Sequence, residues 1–137
     1  MTEAKSGGCC CGAVRFTARV KGGHMDACHC TTCRQWSAGP FMGVEVSDLV
    51  IEKDTGLGVW ESSEWAERLF CKLCGSSFGY RTRDGSFVTL SAFAFDEPLS
   101  EPLGVEVYID SKPATYAFAG ETKKMTGAEL MAMFGGN

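Results

Sequence analysis

Eight of the 137 residues are cysteines, and they fall into three short clusters. Cys9, Cys10 and Cys11 are consecutive. Cys28, Cys30 and Cys33 stand within "DACHCTTC", and Cys71 and Cys74 form a Cys-x-x-Cys pair in "FCKLCGSSF". Thiols packed this closely ligate metals or exchange disulfides. The opening "MTEAKSGGCC" has no apolar run, so no secretory leader is predicted. The expected compartment is therefore the reducing cytoplasm, where dense cysteines read as metal ligands or redox thiols rather than structural disulfides.

A Cys-x-x-Cys turn followed by Gly75 lets two sulfurs converge on one metal. Zinc in a structural site takes four such ligands in a tetrahedron. Cys71 and Cys74 supply two. In an extended segment side chains at i and i+2 share a face, so Cys9 and Cys11 supply the other two, and Cys10 points away as a small buried hydrophobe. The expected site is a closed zinc centre of Cys9, Cys11, Cys71 and Cys74. The competing reading is a thioredoxin-like redox pair, which needs a strand feeding a helix after the motif. "GSSFGYRT" reads as a strand instead.

By the same alternation Cys28 and Cys30 share a side and His29 points away, which favours a backbone partner for His29 over the alternative of a fourth ligand. Cys33 returns three residues later, at the first turn of a predicted helix, where a thiolate is stabilised as an anion. A zinc held by three protein ligands keeps a fourth position open, the arrangement of catalytic sites. Three thiolates make it a weak Lewis acid suited to a soft incoming ligand such as a substrate thiol. That thiol would be deprotonated to a nucleophile able to add to a small electrophilic carbon, such as that of an aldehyde. Two alternatives stay open: a reduced, metal-free trio acting as a redox sensor, and a second structural site closed by an unidentified residue. Arg34 and Gln35 directly follow the last ligand and are candidates to hold a carboxylate or peptide backbone of the thiol; the other reading of Arg34 is a solvated helix residue. Trp36, Phe41, Phe93 and Phe95 read first as core and second as pocket walls. His24 reads as a surface-loop residue.

The elements that position these residues are mostly strands. Residues 13–20 ("AVRFTARV") and 104–111 ("GVEVYIDS") alternate apolar and polar. Residues 41–53 ("FMGVEVSDLVIEK") read as two strands bent at Ser47-Asp48. "LGVWES" and "EWAERLFC" form a hairpin about Ser62-Ser63, and "SSFGYRT" and "SFVTLSAF" flank an Asp84-Gly85 turn. "KGG" at 21–23 is a turn. Residues 31–39 predict a short helix started by Thr31 or Thr32 and stopped at Gly39 before Pro40. In the second predicted helix, over about 126–134, Thr126 and Glu129 stand at capping-box spacing, with Leu130, Met133 and Phe134 on one face. The expected fold is mainly β, an antiparallel sheet with short helices, in a single domain over residues 1–137.

The net charge of −4 argues against a nucleic-acid partner. The short Lys123-Lys124 pair reads as a solvated turn. No apolar stretch approaches the roughly 18 residues of a membrane span. Open sheet edges in so small a chain make a homodimer an expected assembly.

Taken together, "GGCCCGAVRF" (7–16), "CHCTTCRQWSAGPF" (28–41) and "FCKLCGSSF" (70–78) resemble, in order and spacing, the glutathione-dependent formaldehyde-activating enzyme family, or CENP-V/GFA domain. The resemblance spans about residues 7–113. It implies an Mss4-like β fold stapled by zinc, a structural zinc at Cys9, Cys11, Cys71 and Cys74, and a second zinc at Cys28, Cys30 and Cys33. It also implies a carbon–sulfur lyase that joins glutathione and formaldehyde as S-(hydroxymethyl)glutathione. This chain has Glu106 where many relatives carry a histidine, and Tyr116 where a tryptophan is common. A second function class follows from the same scaffold: a non-catalytic zinc module that carries a small thiol or docks a protein partner.

Overall fold

The computed structural model describes residues 3–134. They fold as two compact units, each drawn from two segments: residues up to 23 with 43–100, and 24–42 with 101 onward.

The first unit is an antiparallel sheet. β1 (Lys5–Gly8) pairs with β2 (Arg15–Val20), and β2 with β4 (Phe41–Lys53, whose first two residues belong to the second unit). From β4 the sheet continues through β8 (Val88–Ser91), β7 (Ser77–Thr82), β6 (Ala66–Cys71) and β5 (Leu57–Trp60). Strict alternation in β2 buries Phe16, Ala18 and Val20. Phe16 stacks on Phe78 at 5.9 Å and meets Phe95 edge-on at 5.4 Å, with Val14, Val44, Leu69 and Leu90 completing the core. The hairpin about Ser62-Ser63 and the Asp84-Gly85 turn stand where the sequence predicts them.

Residues 41–53 are one strand, not two. The register steps from Thr17↔Val50 to Arg19↔Ser47, and Asp48 takes φ 54°. This is a bulge: an aspartate tolerates the left-handed conformation, so the strand bends while the ladder resumes on either side.

The second unit is built differently. β3 (Met25–Cys28), β9 (Leu103–Val107) and β10 (Lys123–Met125) run parallel, with β9 in the middle. Parallel neighbours require a crossover of a dozen or more residues, and residues 108–122 provide it between β9 and β10. Lys123 and Lys124, expected in a turn, are exposed strand residues. α1 (Thr31–Ser37) follows β3, capped by the Cys30 side chain and ended by Ala38 at φ 59°. α2 (Gly127–Met133) has both halves of the Thr126/Glu129 capping box. Its expected apolar face is largely open, with Met133 and Phe134 exposed. Among the described residues no helix is long and apolar enough to cross a membrane.

Candidate metal centres

The first centre lies in the first unit. β6 ends on Cys71, and the chain turns at once, with the Gly75 amide donating to the Cys71 carbonyl at 2.8 Å. That turn returns Cys74 to the same point, and Gly75 sits at φ 81°, a conformation glycine adopts without penalty. Cys9–Gly12 forms a matching turn between β1 and β2, with Gly12 also at φ 81° and its amide 3.3 Å from the Cys9 carbonyl. The thiols that converge with Cys71 and Cys74 are therefore Cys9 and Cys11, but their backbone geometry is not the expected one. Cys9 and Cys11 meet because the backbone turns, not because an extended strand alternates. Cys10, expected to be buried, is left exposed on the outside of the turn.

The four sulfurs lie within 4.8 Å of one another. Cys9 Sγ and Cys11 Sγ are 3.7 Å apart, as are Cys11 Sγ and Cys71 Sγ. A tetrahedron with about 2.3 Å zinc–sulfur bonds places its sulfurs about 3.8 Å apart. A disulfide needs about 2.05 Å, and none of the eight cysteines is in one. Backbone amides aim at the sulfurs: Val14 N–H donates to Cys9 Sγ at 3.3 Å, and Leu73 and Cys74 N–H donate to Cys71 Sγ at 3.4 Å. Such bonds favour thiolate. The Ser76 hydroxyl and amide bring the Cys74 thiol down to about 5. Burial pushes Cys9 up, but the Val14 amide and the Cys71 and Cys11 thiols outweigh it and leave it lowered. The Ala13 amide favours ionised Cys11, yet burial and the Cys74, Cys71 and Cys9 sulfurs push it up to about 11. Like charges this close cannot all ionise by themselves, and a divalent cation removes the conflict. The donor set fits zinc.

The second centre lies in the second unit. Cys28 closes β3, Cys30 caps α1, and Cys33 occupies the helix's first turn, its amide 3.3 Å from Cys30 Sγ. The three sulfurs also lie within 4.8 Å of one another, and among the described residues this group has three members. Bonds with Cys30 and Cys33, then burial, hold Cys28 far above its ordinary range. Three converging soft donors with one position lacking a protein ligand fit an open zinc site.

His29 is not in this group. It is fully buried, and its ring nitrogens meet side chains rather than the backbone: Nδ1 is 2.8 Å from Tyr116 Oη and Nε2 2.8 Å from Glu106 Oε1. Sequence reasoning treated Glu106 and Tyr116 only as departures from a family pattern. The local signal was a carboxylate between two valines in a strand whose Glu106 and Val107 are both buried, a strand covered on both faces. The crossover around Tyr116 left no periodic signal.

Arg34 is half-buried, with Nε donating to the His29 carbonyl at 2.9 Å and Nη2 to Thr31 Oγ1 at 3.3 Å. Gln35 is exposed on α1. Trp36 packs on buried Phe41 at 5.5 Å, and Phe95 is core, but Phe93 is exposed. His24, exposed as expected, pairs with Asp26 at 3.0 Å. A cavity in the first unit is lined by residues that include Lys21, Asp48, Arg81, Arg83 and Asp84, and no cysteine lines it.

The family model of the glutathione-dependent formaldehyde-activating enzyme matches residues 4–111. A Schizosaccharomyces pombe protein named as an uncharacterized lyase is 33% identical over 128 residues, covering 91% of this chain and 93% of its own. The crystal structure of a Rhodobacter sphaeroides protein superposes with a TM-score of 0.60 at 20% identity. It covers 72% of this chain and 98% of that one, a likeness of fold.

Proposed function

The chain belongs to the glutathione-dependent formaldehyde-activating enzyme family, and from that premise we propose that it is a zinc-dependent carbon–sulfur lyase. It acts on the adduct of glutathione, or a similar small thiol, with a small aldehyde. The observation that carries this reading is the convergence of Cys28, Cys30 and Cys33 on a point with no fourth protein ligand among the described residues. The fungal relative named as a lyase supports the reaction class.

Zinc at Cys28, Cys30 and Cys33 supplies, when bound, a soft acid site that favours a substrate thiol as thiolate. In the reaction the thiol sulfur forms a bond to the carbonyl carbon, the C=O π bond breaks, and the carbonyl oxygen takes the proton. The lyase direction reverses each of these. Arg34 has five N–H donors; two bonds anchor it within the unit, and the rest serve a carboxylate of the thiol, with Gln35 beside it. The centre of Cys9, Cys11, Cys71 and Cys74 holds a structural zinc. Eight cysteines with no disulfide among them suit the cytoplasm. The family model runs through both units, consistent with a single functional domain.

The test is a calorimetric titration of zinc-loaded protein with reduced glutathione and with its S-methyl form. Saturable binding of the free thiol alone supports thiol access to the metal. No binding of either discards glutathione as substrate. Equal binding of both favours the second reading, a non-catalytic carrier or docking module. Exposed Trp60, Trp65 and Leu73 in the first unit are the observation behind that alternative.

A further inference from the structure

His29 lies in the chain between Cys28 and Cys30, two of the three cysteines of the second centre, and every polar group it has is engaged. Its amide donates to the Val107 carbonyl at 3.1 Å, and its carbonyl accepts from Arg34 Nε at 2.9 Å. Its ring bridges Tyr116 and Glu106 at 2.8 Å on both sides. An ionised carboxylate only accepts, so Nε2 carries a hydrogen toward Glu106, and the Tyr116 hydroxyl fills Nδ1. Glu106 is itself fixed from behind: Thr122 Oγ1 donates to its other oxygen, and Lys124 Nζ stands 3.7 Å away. The register Ala27↔Glu106 and Cys28↔Val107 sets this carboxylate beside the strand end from which Cys28 projects. The strut thus runs from a strand through a buried imidazole to a crossover residue, all within one unit.

We propose that Glu106, His29 and Tyr116 are positioning residues for the three-sulfur centre. With the imidazole pinned on both sides, the backbone of the Cys28–Cys30 segment cannot rotate, and the flanking sulfurs stay converged in advance of metal binding. Pre-set ligands bind more tightly because ordering them costs less on binding, and outer partners of metal ligands alter affinity by about 10- to 100-fold when lost. Cys33 is placed separately, by α1, so the strut sets two of three sulfurs. This inference rests on the reading of that cluster as a metal centre.

The four-cysteine centre serves as an internal reference. Cobalt(II) is titrated into the metal-free full chain and followed by sulfur-to-cobalt charge-transfer and ligand-field absorption, with Cys30→Ser supplying the spectrum of the four-cysteine centre alone. Tyr116→Phe removes one hydroxyl, and His29→Leu removes the strut. His29→Gln keeps a donor that can reach Glu106. The expected result is an affinity loss of roughly tenfold at the three-sulfur centre for Tyr116→Phe, a larger loss for His29→Leu, partial rescue by His29→Gln, and an unchanged four-cysteine centre. If Tyr116→Phe and His29→Leu both bind the second cobalt as wild type does, the positioning role is wrong. Equal weakening of both centres would reduce the strut to general stability and overturn it as well. A wild type that binds a single cobalt refutes the metal reading itself, an outcome separate from the other two.

Discussion

Replacing Cys71 by serine tests the closed centre most directly. Cys71 is fully buried at the end of β6, accepts two amide hydrogen bonds at 3.4 Å, and stands 3.7 Å from Cys11 Sγ. A serine oxygen is harder, sits closer to the backbone and stays protonated, so one of four ligands is lost. Structural zinc contributes about 10–16 kcal/mol of apparent binding energy in small modules, or roughly 3–4 kcal/mol per ligand if shared evenly. Affinity should fall by about two to three orders of magnitude at about 1.4 kcal/mol per decade. For a chain of this length, roughly 3–5 °C per kcal/mol translates the same loss into a melting point about 10–20 °C lower. Thermal melts followed by circular dichroism, with zinc counted by atomic emission, measure both quantities. Cys10→Ser is the control, because Cys10 is exposed and outside the sulfur cluster. It should keep the wild-type melt and metal content. A Cys71→Ser protein with unchanged melting and full zinc content would refute the ligand assignment. Loss of metal from Cys10→Ser would mean that the wrong pair of the triplet had been chosen.

Cys30→Ser should lower zinc content from two per chain to one and leave the fold intact, as metal analysis and near-ultraviolet dichroism would show; global unfolding would mark the second centre as structural. Gly56→Ala should weaken the first centre and cost about 1–3 kcal/mol by overpacking, because a Cβ there would lie 2.7 Å from Cys71 Sγ and 2.8 Å from Ala13 Cβ; competition with a chromogenic chelator and a urea melt check each half. Glu106 titrates below its ordinary range: burial opposes this, but hydrogen bonds from Thr122 and His29 outweigh it. The folded state therefore binds that proton more weakly than the unfolded state, so ionised Glu106 stabilises fully above its unfolded value of about 4.3, and the effect fades as pH falls through the lower folded value. The urea-stability gap between wild type and Glu106→Gln should be constant near neutral pH and close in acid. A gap that widens in acid contradicts the assigned sign.

Local spacing carried most of what the sequence determined by itself. Cys-x-x-Cys before glycine, Cys-x-Cys in a triplet and "CHCTTC" are short-range constraints, and they named all seven converging cysteines because ligand geometry acts over a few bonds. The alternation of residues 13–20, the Asp84-Gly85 turn and the Thr126–Glu129 capping box were legible for the same reason. Only the tertiary structure decided what depends on distant partners. Cys9 and Cys11 converge through a turn closed at Gly12, and Cys10 faces solvent. The bulge at Asp48 keeps residues 41–53 one strand because β2 resumes pairing beyond it. The three parallel strands of the second unit follow from long-range register, which alternation cannot encode. His29 meets Glu106 and Tyr116 across 77 and 87 residues. A buried polar side chain must find a partner, but its identity is set by which strands and crossovers fold against it, and no local pattern specifies that.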